Sequence, residues 1–306
     1  ADLNRLWTKF HINDLKDIPA SRLLFEEKEL KEIYTTLKDL FHKSKGPIYI
    51  LDLHSTSSET PPFISINDTI RNRDFALNFN LPIILGIEEF LDGTILNYMN
   101  EKGFIALGFE GGQHNDSDTV KTHESAIWSA LYHAGCMNKK NKKIDYPVLS
   151  STSIHAGKVF EVKHRHPVKP SDHFKMLPGY SNFKAVRKNE KLATDKNGDI
   201  SCPITGRIFM PLYQKQGNDG FFLVRPIHSA WLTISRILRI SNFHLLLNML
   251  PGISSLNDQK HTIVVNKKIA RFKATDLFHL LGFRRKTHVG DLIVFEKREF
   301  DTKEPI

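Results

Sequence analysis

Three continuous apolar runs constrain this chain most: PIYILDLH (Pro47–His54), LPIILG (Leu81–Gly86) and GFIALGFEGG (Gly103–Gly112). A strand with one wet face alternates apolar and polar residues, whereas an unbroken apolar run suits a strand covered on both faces of a parallel or mixed sheet. Helical patterns lie between and after these runs. Ser21–His42 places Leu24, Leu30, Ile33, Leu37 and Leu40 at near-helical spacing with Glu and Lys between them, the pattern of an amphipathic helix. His123–Cys136 reads as a second helix behind the third run. Alternating strands and helices predict an α/β layer structure over residues 1–145.

The pattern changes after that point. Residues 146–227 hold short apolar runs divided by turn signals, among them KVFEVKH, KNGD, PITGRIF and FFLVRPI, and predict a small, mainly antiparallel β-rich domain. Residues 228–306 mix helical SAWLTISRILRI and ATDLFHLLGF with strand-like HTIVVN and GDLIVFEKRE. They predict an α/β C-terminal appendage whose role the sequence does not reveal.

A chain of 306 residues is long enough for more than one unit. Its net charge of +9 favours anions, but the cations are spread out and accompany no nucleic-acid motif. The densest basic run, NKKNKKIDY at 138–146, reads as a solvated loop between domains. The charge instead suits attraction of a small anionic substrate. The two cysteines, Cys136 and Cys202, have no metal-type spacing and suggest neither a disulfide framework nor a cysteine zinc cluster. A reducing, cytoplasmic setting fits. No stretch offers about 20 consecutive apolar residues, so no membrane partner is expected.

Three stretches carry residues with chemistry. The first apolar run ends in Asp52-Leu53-His54. Clefts of open α/β sheets form outside the carboxyl ends of strands, where a histidine suits a ligand; Asp52, two residues earlier, shares its face and is placed to orient the imidazole. A strand-end histidine is also a common satisfied structural residue. In the third run Glu110 interrupts the apolar residues just before two glycines. A partly desolvated carboxylate there is either a general base with a raised pKa or the partner of a nearby lysine. Asp2-Leu3-Asn4-Arg5 sets an amide beside a guanidinium, a pair able to grip a carboxylate. Two histidine features invite rival sites. His164 and His166 share one face of a strand that Pro167 ends, and read as a polar face; His123-Glu124 lacks a second histidine four residues on and is no metal helix.

In their order along the chain, Asp2–Arg5, Asp52–His54 and Glu110-Gly-Gly-Gln-His114 resemble the motifs of the succinylglutamate desuccinylase/aspartoacylase family, metallohydrolases related to the zinc carboxypeptidases. The resemblance covers roughly the first 225 residues and implies a zinc-carboxypeptidase-like mixed sheet flanked by helices, with a small β domain after it. It also implies a zinc-dependent amidohydrolase acting on a small carboxylate-bearing N-acyl amino acid or similar compound. His54 would be a zinc ligand, Glu110 the base that activates a water, and Asn4 with Arg5 the carboxylate grip.

Two departures accompany it. The family's other two zinc ligands form a His-x-x-Glu pair upstream of Asp-Leu-Asn-Arg, and this chain begins after that point; the expectation is a trimmed or incomplete chain that binds one zinc when complete. The family's substrate arginine before the catalytic strand is also missing, with Tyr98 and Asn100 in that stretch, and Arg71 or Arg73 in NDTIRNRDF is the replacement charge to consider. The rival expectation is a non-catalytic binding protein on the same fold that has lost its metal site. Homo-oligomer formation is left open.

Overall fold

The computed structural model describes residues 2–137, 155–215, 217–255, 262–266, 268–269 and 274–303. The basic run at 138–146 lies outside them. A 3-10 turn, Leu3–Arg5, leads into α1 (Lys9–Asp17) and α2 (Phe25–Lys43). Thr8 caps α1 by accepting from the His11 amide, and Glu27 closes the first turn of α2 onto the Leu24 amide, each satisfying an N–H the helix leaves open. β1 (Tyr49–Thr56), β2 (Phe63–Ile66), α3 (Ile70–Ala76), β3 (Ile83–Leu85), α4 (Ile95–Glu101), β4 (Ile105–Gln113) and α5 (Ser117–His133) follow. The β-rich stretch supplies β5 (Val159–Pro167), β6 (Lys175–Met176), β7 (Ala185–Val186), β8 (Lys191–Asp195), β9 (Gly198–Ser201), β10 (Gly206–Phe209) and β11 (Asp219–Ile227). The C-terminal unit comprises α6 (Ser229–Ile240), β12 (Ile253–Ser255), β13 (Thr262–Asn266), α7 (Ala274–Leu280), β14 (Phe283–Val289) and β15 (Leu292–Lys297).

The main sheet has eight strands in the order β1-β4-β2-β3-β5-β11-β10-β7. β4 is parallel to β1 and antiparallel to β2, so the sheet is mixed. Alternation along β4 sends Ala106 to the face covered by α2 and α4, and Ile105, Leu107 and Phe109 to the face covered by α3 and α5. This is the flanked mixed sheet that the resemblance implied. Because β5 runs parallel to β3, the same sheet continues without a break into the β-rich stretch, which adds a three-stranded sheet, β6-β8-β9.

β1 departs from the expectation of a doubly covered strand. It pairs with β4 alone among the described strands, most of its residues are half-buried, and Leu53 is 37% exposed. Its neighbour β4 is buried from Ile105 to Gly112. Apolar content thus reported membership of the sheet but not a central position in it.

The C-terminal unit has its own core, in which Phe278, Phe283 and Phe295 are fully buried, and a four-stranded sheet, β12-β13-β15-β14. It joins the main body through buried charges. Asp68, just past β2, accepts from Arg73 Nη2 at 2.9 Å and from Arg239 Nη2 of α6 at 2.8 Å. Asp301 Oδ1 takes the Ile70 amide at 3.0 Å and lies 3.2 Å from Arg239 Nη1. Arg298 pairs with Glu88, and His279 sits 2.7 Å from both Glu89 and Glu161. Such pairs add little net stability over an apolar substitute, but removing one partner strands a buried charge, at about 3–5 kcal/mol.

Candidate active site

β1 and β4 lie side by side in parallel, and their register sets His54 opposite Glu110 and Asp52 opposite Gly108. The two-residue period of β1 puts Asp52 on the His54 side, where His54 Nε2 lies 2.8 Å from Asp52 Oδ2. Asp52 raises the His54 pKa, overcoming the opposing effect of burial. Glu110 is only 9% exposed, and its Oε2 has no hydrogen-bond partner among the described residues. Burial pushes its carboxyl up to about 7, with Asp52 adding to the shift and His54 opposing it. A carboxyl held near neutrality can both take and return a proton at physiological pH.

The glycines beside Glu110 are there for packing. A Cβ on Gly111 would overlap the His123 ring of α5, and one on Gly108 would crowd Ser65 Oγ. His123 uses this close approach to donate from Nε2 to the His54 carbonyl at 2.8 Å. His123 thereby fixes the backbone of the strand that carries His54.

Asn4 and Arg5 approach the same cleft from the N-terminal turn. Asn4 Oδ1 accepts from the Ile95 amide at 2.9 Å, tying the turn to α4, and Trp7 N donates to the Gly93 carbonyl at 2.9 Å. Gly93, at φ +70°, lies so close to the Arg5 backbone that a side chain there would collide with it. Arg5 Nη1 donates to the Asn4 carbonyl at 2.8 Å, and the guanidinium lies 3.9 Å from Asp2 and 4.0 Å from Asp219. The cleft has a volume of about 750 Å³ and is lined by Asn4, Arg5, Asp52, His54 and Glu110 together. It also has acidic walls, with Asp2, Glu88 and Asp219 in the lining. The excess positive charge of the chain is thus not gathered here. Arg298 neutralises Glu88 and Arg165 pairs with Asp219, and Arg5 is the one arginine or lysine among the described lining residues.

Three sequence candidates do not reach the cleft. Tyr98 is buried between α2 and the N-terminal segment, its ring 5.9 Å from Trp7 and 6.1 Å from Tyr34. Helical phase places its neighbour Asn97 in the lining instead. Arg71 and Arg73 lie on α3. Arg71 donates to the Gly103 and Lys303 carbonyls, and Arg73 is buried against Asp68. Both serve the contact with the C-terminal unit, which no pattern within NDTIRNRDF could reveal. His164 and His166 do share a face, against Phe221, and Pro167 ends their strand. Sequence reading missed Glu88 and assigned no role to His114, which bonds Ser55 Oγ at 2.8 Å and Gln214 at 3.3 Å at the cleft.

The zinc implied by the resemblance requires more than this. A catalytic zinc takes three protein ligands, and among the described residues no group of three or more His, Cys, Asp or Glu side chains could hold a metal ion. His54 would supply one ligand, with Asp52 behind it. These residues alone do not fit a zinc ion.

A mixed α/β sheet carrying an Asp-His pair and a buried glutamate at adjacent strand ends defines the class of fold, and comparison with solved structures places it. Succinylglutamate desuccinylase/aspartoacylase from Rhodobacter sphaeroides aligns with 74% of this chain and 68% of its own length, at 12% identity and a TM-score of 0.50. Succinylglutamate desuccinylase from Vibrio parahaemolyticus aligns with 74% of this chain and 66% of its own, at 16% identity and the same TM-score. The chain thus has the succinylglutamate desuccinylase/aspartoacylase fold and spans about two thirds of the length of these proteins. No protein-family model and no curated protein sequence matches it. No helix among the described residues is long and apolar enough to cross a membrane.

Proposed function

We propose that the chain is an amide hydrolase acting on a small N-acyl amino acid or a related carboxylate-bearing compound. The observation that carries this reading is Glu110: a buried carboxyl with a pKa near 7 and one unpartnered oxygen, beside His54 and in the same cleft as Asn4 and Arg5. Arg5 pairs with the substrate carboxylate and Asn4 supports it through its amide nitrogen, since its oxygen already serves Ile95. This fixes the scissile amide near the strand ends, converting binding energy into orientation. Glu110 takes a proton from the attacking water and delivers it to the departing amine. Asp52 keeps the His54 ring oriented. One zinc per chain, with His54 as a ligand, is tested together with turnover.

The test combines zinc analysis with turnover of a panel of N-acyl amino acids, on the gene product and its His54→Ala variant. Stoichiometric zinc and turnover, both lost on substitution, are expected. Absence of zinc and turnover after supplementation with metal would assign the fold to the non-catalytic binding reading.

A further inference from the structure

A second cavity, of about 650 Å³, lies where the C-terminal unit meets the main sheet. Its volume falls within the ~300–1,000 Å³ usual for small-molecule sites. It shares no described lining residue with the cleft of His54 and Glu110, and one 3-10 turn, Ile87–Glu89, divides the two. Ile87 and Glu88 line the cleft, and Glu89 lines the cavity. Leu85 at the end of β3, Leu232 of α6, and Leu277 and Leu280 of α7 supply apolar wall, and the exposed ring of Trp231 joins them. The surface of the lining is mostly apolar.

The cations in this lining are matched by carboxylates, with one exception. Arg73 holds Asp68, and Arg298 holds Glu88. Lys163 lies 2.6 Å from Glu161 and 2.9 Å from Asp276, and His279 lies 2.7 Å from both Glu161 and Glu89. Arg225 stands opposite Glu161 across the β5–β11 pair, but both Glu161 oxygens are taken, Oε1 by His279 and Oε2 by Lys163. Arg225 donates from Nε to the Thr205 carbonyl at 2.9 Å and pairs with no carboxylate among the described residues. A guanidinium so placed keeps its Nη donors for a carboxylate, which their planar arrangement matches.

We propose that this cavity binds a small carboxylate with an apolar body, the carboxylate on Arg225 and the body against the leucines and Trp231. The apolar walls favour transfer of the body out of water. The unmatched cation selects an anion over a neutral or cationic ligand of the same shape.

Isothermal titration calorimetry with octanoate tests this on the full chain. Octanoate should bind, and octan-1-ol and octylammonium should bind at least about tenfold more weakly, the loss expected for one charge-assisted pair. Arg225→Gln should weaken octanoate by a similar factor. Arg5→Gln removes the cation of the cleft and should leave this binding in place. Octanoate should also change the tryptophan fluorescence of the parent, and the change should disappear in Trp231→Phe. Absence of octanoate binding overturns the proposal, as does octan-1-ol binding as tightly as octanoate. An affinity that falls with Arg5→Gln and not with Arg225→Gln also overturns it and assigns the carboxylate to the cleft.

Discussion

His54 and Glu110 face each other across two parallel strands, one residue of β1 in register with one of β4. Their spacing is therefore set by backbone hydrogen bonding and not by loop conformation. The Asp52 contact then aims the imidazole, and the apolar surroundings hold the carboxyl near neutrality.

Glu110→Gln should abolish turnover, at least about 100-fold, while the protein folds normally. Stability provides a second readout. The Glu110 carboxyl is raised from 4.5 to about 7, so between those values the folded state holds a proton that the unfolded chain has released. Its contribution to stability consequently falls as pH rises through that window. In metal-free protein, Gln should flatten this dependence and raise stability at pH 8 by roughly 1–3 kcal/mol. Urea melts of both proteins across that pH range measure it. A parent profile as flat as that of the variant would remove the raised pKa.

Gly111→Ala should drive a methyl group into the His123 ring and loosen its bond to the His54 carbonyl, at a cost of about 1–3 kcal/mol for overpacking. In Gly111→Ala/His123→Ala the space returns. The double variant should therefore lose less than the sum of the single losses, a coupling measurable by a double-mutant cycle. Additive losses would mean that the ring and the strand do not press on each other.

His279 predicts a stability loss on the alkaline side. Burial alone would lower its pKa, but the Glu161 and Glu89 carboxylates override this and push it up to about 9, from 6.5. A raised histidine stabilises fully below about 6.5, and the benefit disappears as pH rises through 9, on the order of 3 kcal/mol in all. Thermal melts from pH 6 to 10 should show this fall in the parent and a shallower one in His279→Gln. Equal slopes would mean that the imidazolium is not held by the two carboxylates.

Arg239→Met should destabilise by about 3–5 kcal/mol, because Asp68 and Asp301 lose a fully buried partner. Asp301→Asn in the same chain should recover part of that loss, since Asp68 keeps its pair with Arg73 while Asp301 is the carboxylate left stranded. Guanidinium unfolding of the single and double variants tests this; a neutral Arg239→Met would show that the cluster does not hold the C-terminal unit.

The parts of this structure that local sequence reveals are those set by short-range periodicity. The stripe of α2, the apolar runs of β3 and β4, and the shared face of Asp52 and His54 all follow from spacing alone. What spacing misses depends on contacts distant in sequence. Arg71 and Arg73 resemble solvent-facing residues until Lys303, Asp68 and the C-terminal unit are packed around them. Tyr98 and Asn97 are adjacent in sequence, yet the phase of α4 sends one into the core and the other to the cleft. Glu88 enters the cleft wall because Arg298, more than two hundred residues away, compensates its charge.

The charges that bind the C-terminal unit also limit how this chain can change over generations. Asp68, Glu88 and Glu161 lie in the main body, and their partners Arg239, Arg298 and His279 lie in the C-terminal unit. A mutation at either end of one of these pairs, made alone, leaves the other end a buried charge short of a partner. The two sides of the contact must therefore change together, whether or not the C-terminal unit ever touches the substrate.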